Sequence, residues 1–278
     1  MTKFAKAVLP PFLQEIVSAL RNHGTLRFLG KIFTGVFRTF DDVSRAFPET
    51  VAYNSADSER EEVARAAQIR AMILDARRGI APAAVERYTL LAALVAASSS
   101  PNVTVLDIGG GMGDALPHLI YSCPEKKIRL IVSELSAIAA AGQKAFHGDE
   151  SVHFVSDIAA AKEPIQIVFM GSSLQYFEDY SSFVKQIAAL RPHLVVVAHT
   201  PMTDAPTFVT AQVNMRQRIM PNKIINRAEL AALFDGLGYA LIARSESPTL
   251  AHFRNFPTPQ NASSFSNMIF ASRAHQPA

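Results

Sequence analysis

Apolar residues recur at helical spacing through the first third of the chain and in short unbroken runs through the rest. Over residues 10–22, Phe12, Leu13, Ile16, Val17 and Leu20 fall every three or four positions, and Gly24 closes the pattern, which predicts an amphipathic helix. Ser58 with Glu61 three residues on has the spacing of a capping box, in which each side chain bonds an otherwise unpaired amide of the first turn. The helix it opens carries Val63, Ala66, Ile69, Met72 and Ile73 and stops near Arg78 and Gly79. Pro82 suits the first turn of another helix, through Val85, Leu90, Leu91 and Leu94. Residues 1–97 carry almost no strand signal, and Ser98-Ser99-Ser100-Pro101 reads as a linker.

Beyond that linker the pattern changes. Residues 103–108, 128–132, 153–155, 165–170 and 194–198 are compact runs rich in Val and Ile. They are apolar on both faces, as strands of a helix-covered parallel sheet should be. Helical segments lie between several of them, at 136–146 and 180–190. Asn226 with Glu229 marks one more capped helix, ending at Gly236-Leu237-Gly238, and two late runs, 239–244 and 267–272, can close one edge of the sheet. The expected fold is α/β: a doubly wound sheet of seven strands over 101–278, preceded by a helical lid or cap region over 1–100.

Composition narrows the class. The chain has 278 residues, 49% hydrophobic and 18% charged, which suffices for a sizeable core and excludes general disorder. The single Cys123 excludes an intrachain disulfide framework and a cysteine-built zinc site, and no metal is expected. No stretch approaches the roughly 20 apolar residues that span a bilayer. The richest, 26–40, is broken by Arg27, Gly30, Lys31, Gly35 and Arg38, and Pro10-Pro11 interrupts any leader-like run, so a cytoplasmic setting is expected. Net charge is only +3, although Lys3, Lys6, Arg21, Arg27, Lys31 and Arg38 face only Glu15 before residue 40. That excess reads as a solvated basic face or as a surface for an anionic partner.

The segment Val105-Leu106-Asp107-Ile108-Gly109-Gly110-Gly111-Met112-Gly113-Asp114 follows the first of the strand runs and opens a helix. Glycines here let the backbone turn sharply and approach a ligand with no Cβ in the way. A dinucleotide fingerprint would need glycine where Asp114 stands, and no Lys-Ser or Lys-Thr follows for a triphosphate loop. Through Asp107, Gly109, Gly111 and Gly113 the sequence resembles the class I S-adenosylmethionine-dependent methyltransferases, whose first motif is an acidic residue, one apolar residue and alternating glycines. The resemblance implies a Rossmann-like sheet and S-adenosylmethionine as cofactor. It implies cofactor contacts from Asp107, Gly109, Gly110, Gly111 and Gly113, from Glu134 to the ribose hydroxyls with Leu135 beside it, from Asp157 and Ile158 to the adenine, and from Gly171 and Ser172 to the methionine portion. Glu134 and Asp157 read equally well as helix-capping acids, and a glycine-rich turn alone is only a tight connection.

A second resemblance, carried by 206–212, 221–227 and Leu237-Gly238-Tyr239, is to a group of bacterial methyltransferases associated with surface-polysaccharide and secondary-metabolite clusters. This chain departs from the group at Met220-Pro221-Asn222 and in having no tryptophan, so substrate identity does not transfer. The implied activity is methyl transfer to a small molecule. Candidate catalytic residues are His199, the base best suited to neutral pH, Tyr176 as a cation–π partner for the sulfonium, and Tyr53. Candidate substrate contacts are Asn54, Gln175, Phe208 and Gln212. Each has a bland alternative: a hydrogen-bonded strand-end histidine, or an aromatic that simply packs.

Two further readings stay open. Some proteins resembling this group cyclise the cofactor, its amine displacing methylthioadenosine to leave azetidine-2-carboxylate; the N-terminal phenylalanines would then be a lid. Alternatively the fold binds the cofactor without catalysis. Nucleic acid is not an expected partner: Gly171-Ser172-Ser173-Leu174 stands where base methylators carry Asn-Pro-Pro-Tyr, and no basic stripe interleaved with aromatics compensates. The N-terminal helices either cover the pocket or mediate a homodimer.

Overall fold

The computed structural model describes residues 32–48, 56–215, 218–246, 253 and 256–275. The helix expected over 10–22 lies outside them, as do Tyr53 and Asn54. In chain order the elements are β1 (Phe33–Phe37), α1 (Phe40–Ala46), α2 (Ala56–Arg77), α3 (Glu86–Ala97), β2 (Asn102–Ile108), α4 (Leu116–Ser122), β3 (Lys127–Ser133), α5 (Ser136–Ala145), β4 (Val152–Val155), β5 (Ile167–Gly171), α6 (Tyr180–Ala189), β6 (Leu194–Thr203), β7 (Phe208–Met215), β8 (Arg218–Asn226), α7 (Arg227–Gly236), β9 (Tyr239–Glu246) and β10 (Ser264–Ser272).

These form two compact units. The larger lies within Asn54–Thr200, Ala228–Ser247 and Phe265–Ala278, the smaller within Met1–Tyr53, Pro201–Arg227 and Pro248–Ser264. No bound falls at residue 100, and α2 and α3 belong to the larger unit.

The sheet of the larger unit has the order β4-β3-β2-β5-β6-β10-β9. Its first four pairings are parallel, and β10 pairs antiparallel with β9. Chain order reverses between β2 and β5, the switch point at which open α/β sheets place ligands beyond the strands' carboxyl ends. The five expected runs and the late pair are all strands of this doubly wound α/β sheet. Val103, Val105, Leu106 and Ile108 of β2 are buried on both faces, because helices cover the sheet. On α2, Ala66, Ile69 and Ile73 form the buried stripe that packs toward α4 and α5, and α3 packs on α4.

Two local expectations change. Helix α2 begins at Ala56, so Ser58 lies inside it rather than capping it. Helix α3 begins at Glu86, with Val85 at the cap, four residues after Pro82. Tyr88 and Leu91 on its first turns are buried.

In the smaller unit, β7 and β8 pair antiparallel from Phe208↔Ile224 to Met215↔Arg218, and β8 pairs parallel with Met202 and Thr203 at the end of β6. Strand β1 adds antiparallel to β7 through Phe33↔Gln212 and Phe37↔Val209. A strand therefore exists where almost no strand signal was read. Its pairing shifts between Thr34 and Phe37, and Gly35 sits there at φ +75°, so the irregularity breaks the two-residue period that would announce it. Ten strands are described in all, three more than the seven expected. Among the described residues no helix is long and apolar enough to cross a membrane.

Candidate functional site

The turn leaving β2 has three left-handed glycines, Gly109 (φ +70°), Gly111 (+58°) and Gly113 (+84°), a conformation costly for residues with a Cβ. A Cβ on Gly109 would stand 2.9 Å from Ser173 Cβ, after β5, and one on Gly110 would stand 2.5 Å from Asp107 Oδ2. The loop is thus folded down onto the tips of β2 and β5. It is also tied to β3: the Gly109 amide donates to the Ser133 carbonyl at 2.8 Å, and the Gly111 amide to Glu134 Oε1 at 3.0 Å.

Three carboxylates surround this turn. Asp107 is 2% exposed, and its Oδ2 has no hydrogen-bond partner. Burial, reinforced by Asp114 and Glu134 and opposed by Arg87, pushes its pKa up to about 8. Glu134 accepts a second amide, from Leu135, on Oε2 at 3.0 Å. Burial raises its pKa and the two amides pull back against that rise. Asp114 pairs with Arg65 at 2.5 Å, and burial raises its pKa against the guanidinium's pull.

Arg87, on the first turn of α3, is the counterweight. Its charge bears on Asp107, Asp114, His118 and His199. A Cβ on Gly171 would stand 2.6 Å from the Phe169 ring and 3.1 Å from Arg87 Cδ, so that glycine makes room first for the ring and then for the arginine stem. The guanidinium lies over the Tyr88 ring at 4.8 Å, and its buried Nε has no hydrogen-bond partner.

A second cluster joins the end of β5 to the middle of β6. Ser172 (φ +66°) and His199 (φ +50°) are both left-handed, an uncommon state for non-glycine residues. Ser172 Oγ lies 2.7 Å from His199 Nδ1 and 2.9 Å from the His199 carbonyl oxygen. The His199 amide donates to Asn267 Oδ1 at 2.8 Å, and Phe265 stacks on the imidazole at 4.4 Å. Burial first, then Arg87, holds His199 below the usual histidine range, with Glu86 opposing. It is therefore neutral near pH 7. Gln175, 2% exposed, donates from Nε2 to the Ser172 carbonyl at 2.9 Å, while its Oε1 and the neighbouring Ser173 Oγ are buried without partners.

The structure places Asp107, Gly109, Gly110, Gly111, Gly113, Glu134, Leu135, Gly171, Ser172, Gln175 and Tyr176 in the larger unit, at or just beyond the carboxyl ends of its strands, and His199 in the same unit but inside β6, which runs on past the apolar stretch that ends at Ala198. Asp157 follows β4 and accepts the Ala159 amide at 2.9 Å, the capping role, and Ile158 beside it is buried. Phe208 and Gln212 belong to the smaller unit. There Phe208 packs edge-on against Phe256, and Gln212 accepts from Asn222. Arg87, Ser173, Phe265 and Asn267 were not singled out from the sequence. Arg87 is one charged residue on a helix recognised by its apolar positions, and only packing brings it to the strand tips.

No family model and no curated protein sequence matches the chain. Among solved structures it is similar to the 1,6-didemethyltoxoflavin-N1-methyltransferase of Burkholderia thailandensis with S-adenosylhomocysteine bound, at 17% identity and TM-score 0.45, over 80% of this chain and 93% of that one. It is similar also to a magnesium protoporphyrin IX methyltransferase from Synechocystis, at 15% identity and TM-score 0.46, over 70% and 91%. A mitomycin 7-O-methyltransferase aligns at 12% identity and TM-score 0.46, over 98% and 76%. Each of these likenesses is loose.

Proposed function

We propose that this chain binds S-adenosylmethionine across the turn from Gly109 to Asp114 and transfers its methyl group to a small molecule. One observation carries the reading. Asp107 presents a buried, unpartnered carboxylate oxygen over Gly110, at a place that any Cβ would fill. Such an oxygen is costly unless a cationic or donor group meets it. The ammonium of an amino acid is such a group, whereas a phosphate offers acceptors to an acceptor.

The remaining residues suit the rest of the molecule. Arg87 supplies a cation for the amino-acid carboxylate, with Gly171 and Ser172 at the lip beside it. Glu134, oriented by two amides, keeps a second acceptor position on each oxygen for the ribose hydroxyls. Leu135, 46% exposed, and the buried Ile158 offer apolar surface to the base, and Asp157 a carboxylate to its amino group. When bound, the cofactor supplies an electrophilic methyl group that a nucleophile displaces in line. His199 takes the proton of an acceptor hydroxyl or amine, and its depressed basicity keeps it ready to do so at neutral pH. Tyr176 serves the sulfonium as a cation–π partner, and Gln175 is the residue of this unit assigned to the acceptor.

The test is incubation of purified protein with S-adenosylmethionine, alone and with an acceptor panel, followed by mass spectrometry. S-adenosylhomocysteine formed only with an acceptor supports methyl transfer. Methylthioadenosine formed from the cofactor alone overturns it in favour of intramolecular cyclisation. Binding with neither product favours a silent binding module.

A further inference from the structure

The Ser172–His199 contact contains more than a hydrogen bond. Ser172 Oγ carries one proton and lies within bonding distance of two atoms of the same residue, Nδ1 at 2.7 Å and the carbonyl oxygen at 2.9 Å. The carbonyl can only accept, so the serine proton goes to it. The contact to Nδ1 is then satisfied only if the imidazole carries its proton there and donates to Oγ. We propose that Ser172 holds His199 as the Nδ1–H tautomer and so makes Nε2 the nitrogen that accepts a proton. The histidine's role as base rests on the reading under Proposed function; the tautomer does not.

The surroundings hold this arrangement from three sides. Asn267 fixes the His199 amide at 2.8 Å and itself donates from Nδ2 to Ser245 Oγ at 3.1 Å, so its side-chain oxygen is the atom turned toward His199. Phe265 covers one face of the ring. Gln175 holds the Ser172 carbonyl, fixing the backbone from which Oγ projects. The two adjacent strands are both bent into the left-handed region at the residues that meet, Ser172 just after β5 and His199 within β6. Strain of that kind, of order 1–3 kcal/mol per residue, persists where the surroundings over-determine it.

The consequence is chemical. In this tautomer proton uptake occurs at Nε2, and the imidazolium keeps donating from Nδ1 to Ser172, which keeps donating to the carbonyl. The two hydrogen bonds of Ser172 Oγ therefore keep their direction when the base is protonated. Ser172 is thus a positioning residue that acts through His199.

The test is a long-range 1H–15N correlation spectrum of histidine-labelled protein at pH 8 without cofactor, with His199 assigned by its loss in His199→Gln. Wild type is expected to show a protonated Nδ1 and a bare Nε2. Ser172→Ala and Ser172→Gly are expected to move both nitrogens toward the averaged shifts of free imidazole. Glycine accepts φ +66° without strain, so the second variant guards against misfolding in the first. A wild-type spectrum with Nε2 protonated and Nδ1 bare overturns the proposal, as does a folded variant indistinguishable from wild type. Because no cofactor is present, failure of S-adenosylmethionine to bind leaves this result readable.

Discussion

The Gly111 amide donates to the Glu134 carboxylate at 3.0 Å, joining the glycine turn after β2 to the tip of β3. The same carboxylate accepts the Leu135 amide, so one side chain is held by two amides and staples the loop. Glu134→Ala is expected to weaken S-adenosylmethionine binding about tenfold or more in calorimetry, since two hydroxyls lose their acceptor. It should also lower stability by about 1–2 kcal/mol in denaturant unfolding, because two amides lose theirs. Unchanged affinity would remove Glu134 from the site.

Asp107 is expected to exchange stability for binding. Its folded pKa, about 8, lies far above its ordinary value of 3.8. Between these values the unfolded chain is ionised while the folded chain retains the proton, so stability falls as pH rises from about 4 to about 8. Asp107→Asn should abolish that slope and melt higher than wild type at pH 8, while losing cofactor affinity. An ammonium also stabilises the ionised carboxylate. Binding near pH 7 should therefore release about one proton, measurable by calorimetry in buffers of different ionisation enthalpy.

Gly110→Ala tests the seat of that carboxylate against the loop. Gly110 is not among the left-handed glycines, so alanine brings no backbone strain, yet its Cβ would stand 2.5 Å from Asp107 Oδ2. Because the buried Asp107 side chain must move to admit it, the variant should melt below wild type and bind S-adenosylmethionine at least several-fold more weakly. Wild-type affinity would show that the space is not used.

His199→Gln separates chemistry from binding. It should cut acceptor-dependent formation of S-adenosylhomocysteine by about 100-fold, the scale of general-base catalysis. Cofactor affinity should stay within a few-fold, and a wild-type rate would remove His199 from catalysis.

The parts of this site that were legible in the sequence are those written in consecutive residues. Alternating glycines after a Val-rich run announce a sharp turn at the end of a strand, and Glu134 and Asp157 stand directly after recognisable strands. Arg87, Asn267 and Phe265 were not legible, because each reaches the strand ends only through packing of α3 or pairing of β10. Strand β1 was hidden by the irregularity at Gly35. The helix starts at Ala56 and Glu86 do not fall at their cap signals, and a capping residue, typically worth about 1 kcal/mol, is a weak guide to a helix boundary. His199 was picked out as a titratable group after a strand, but its contact with Ser172 depends on two left-handed residues that no spacing rule encodes.

The most direct measurement is calorimetric titration of the wild-type protein, in parallel, with S-adenosylmethionine and with a phosphate-bearing dinucleotide such as NAD. One S-adenosylmethionine per chain, with no detectable heat from the dinucleotide, is the predicted result. Saturable binding of the dinucleotide with none of S-adenosylmethionine would contradict the assignment of Asp107, Glu134 and the glycine turn to a sulfonium nucleoside.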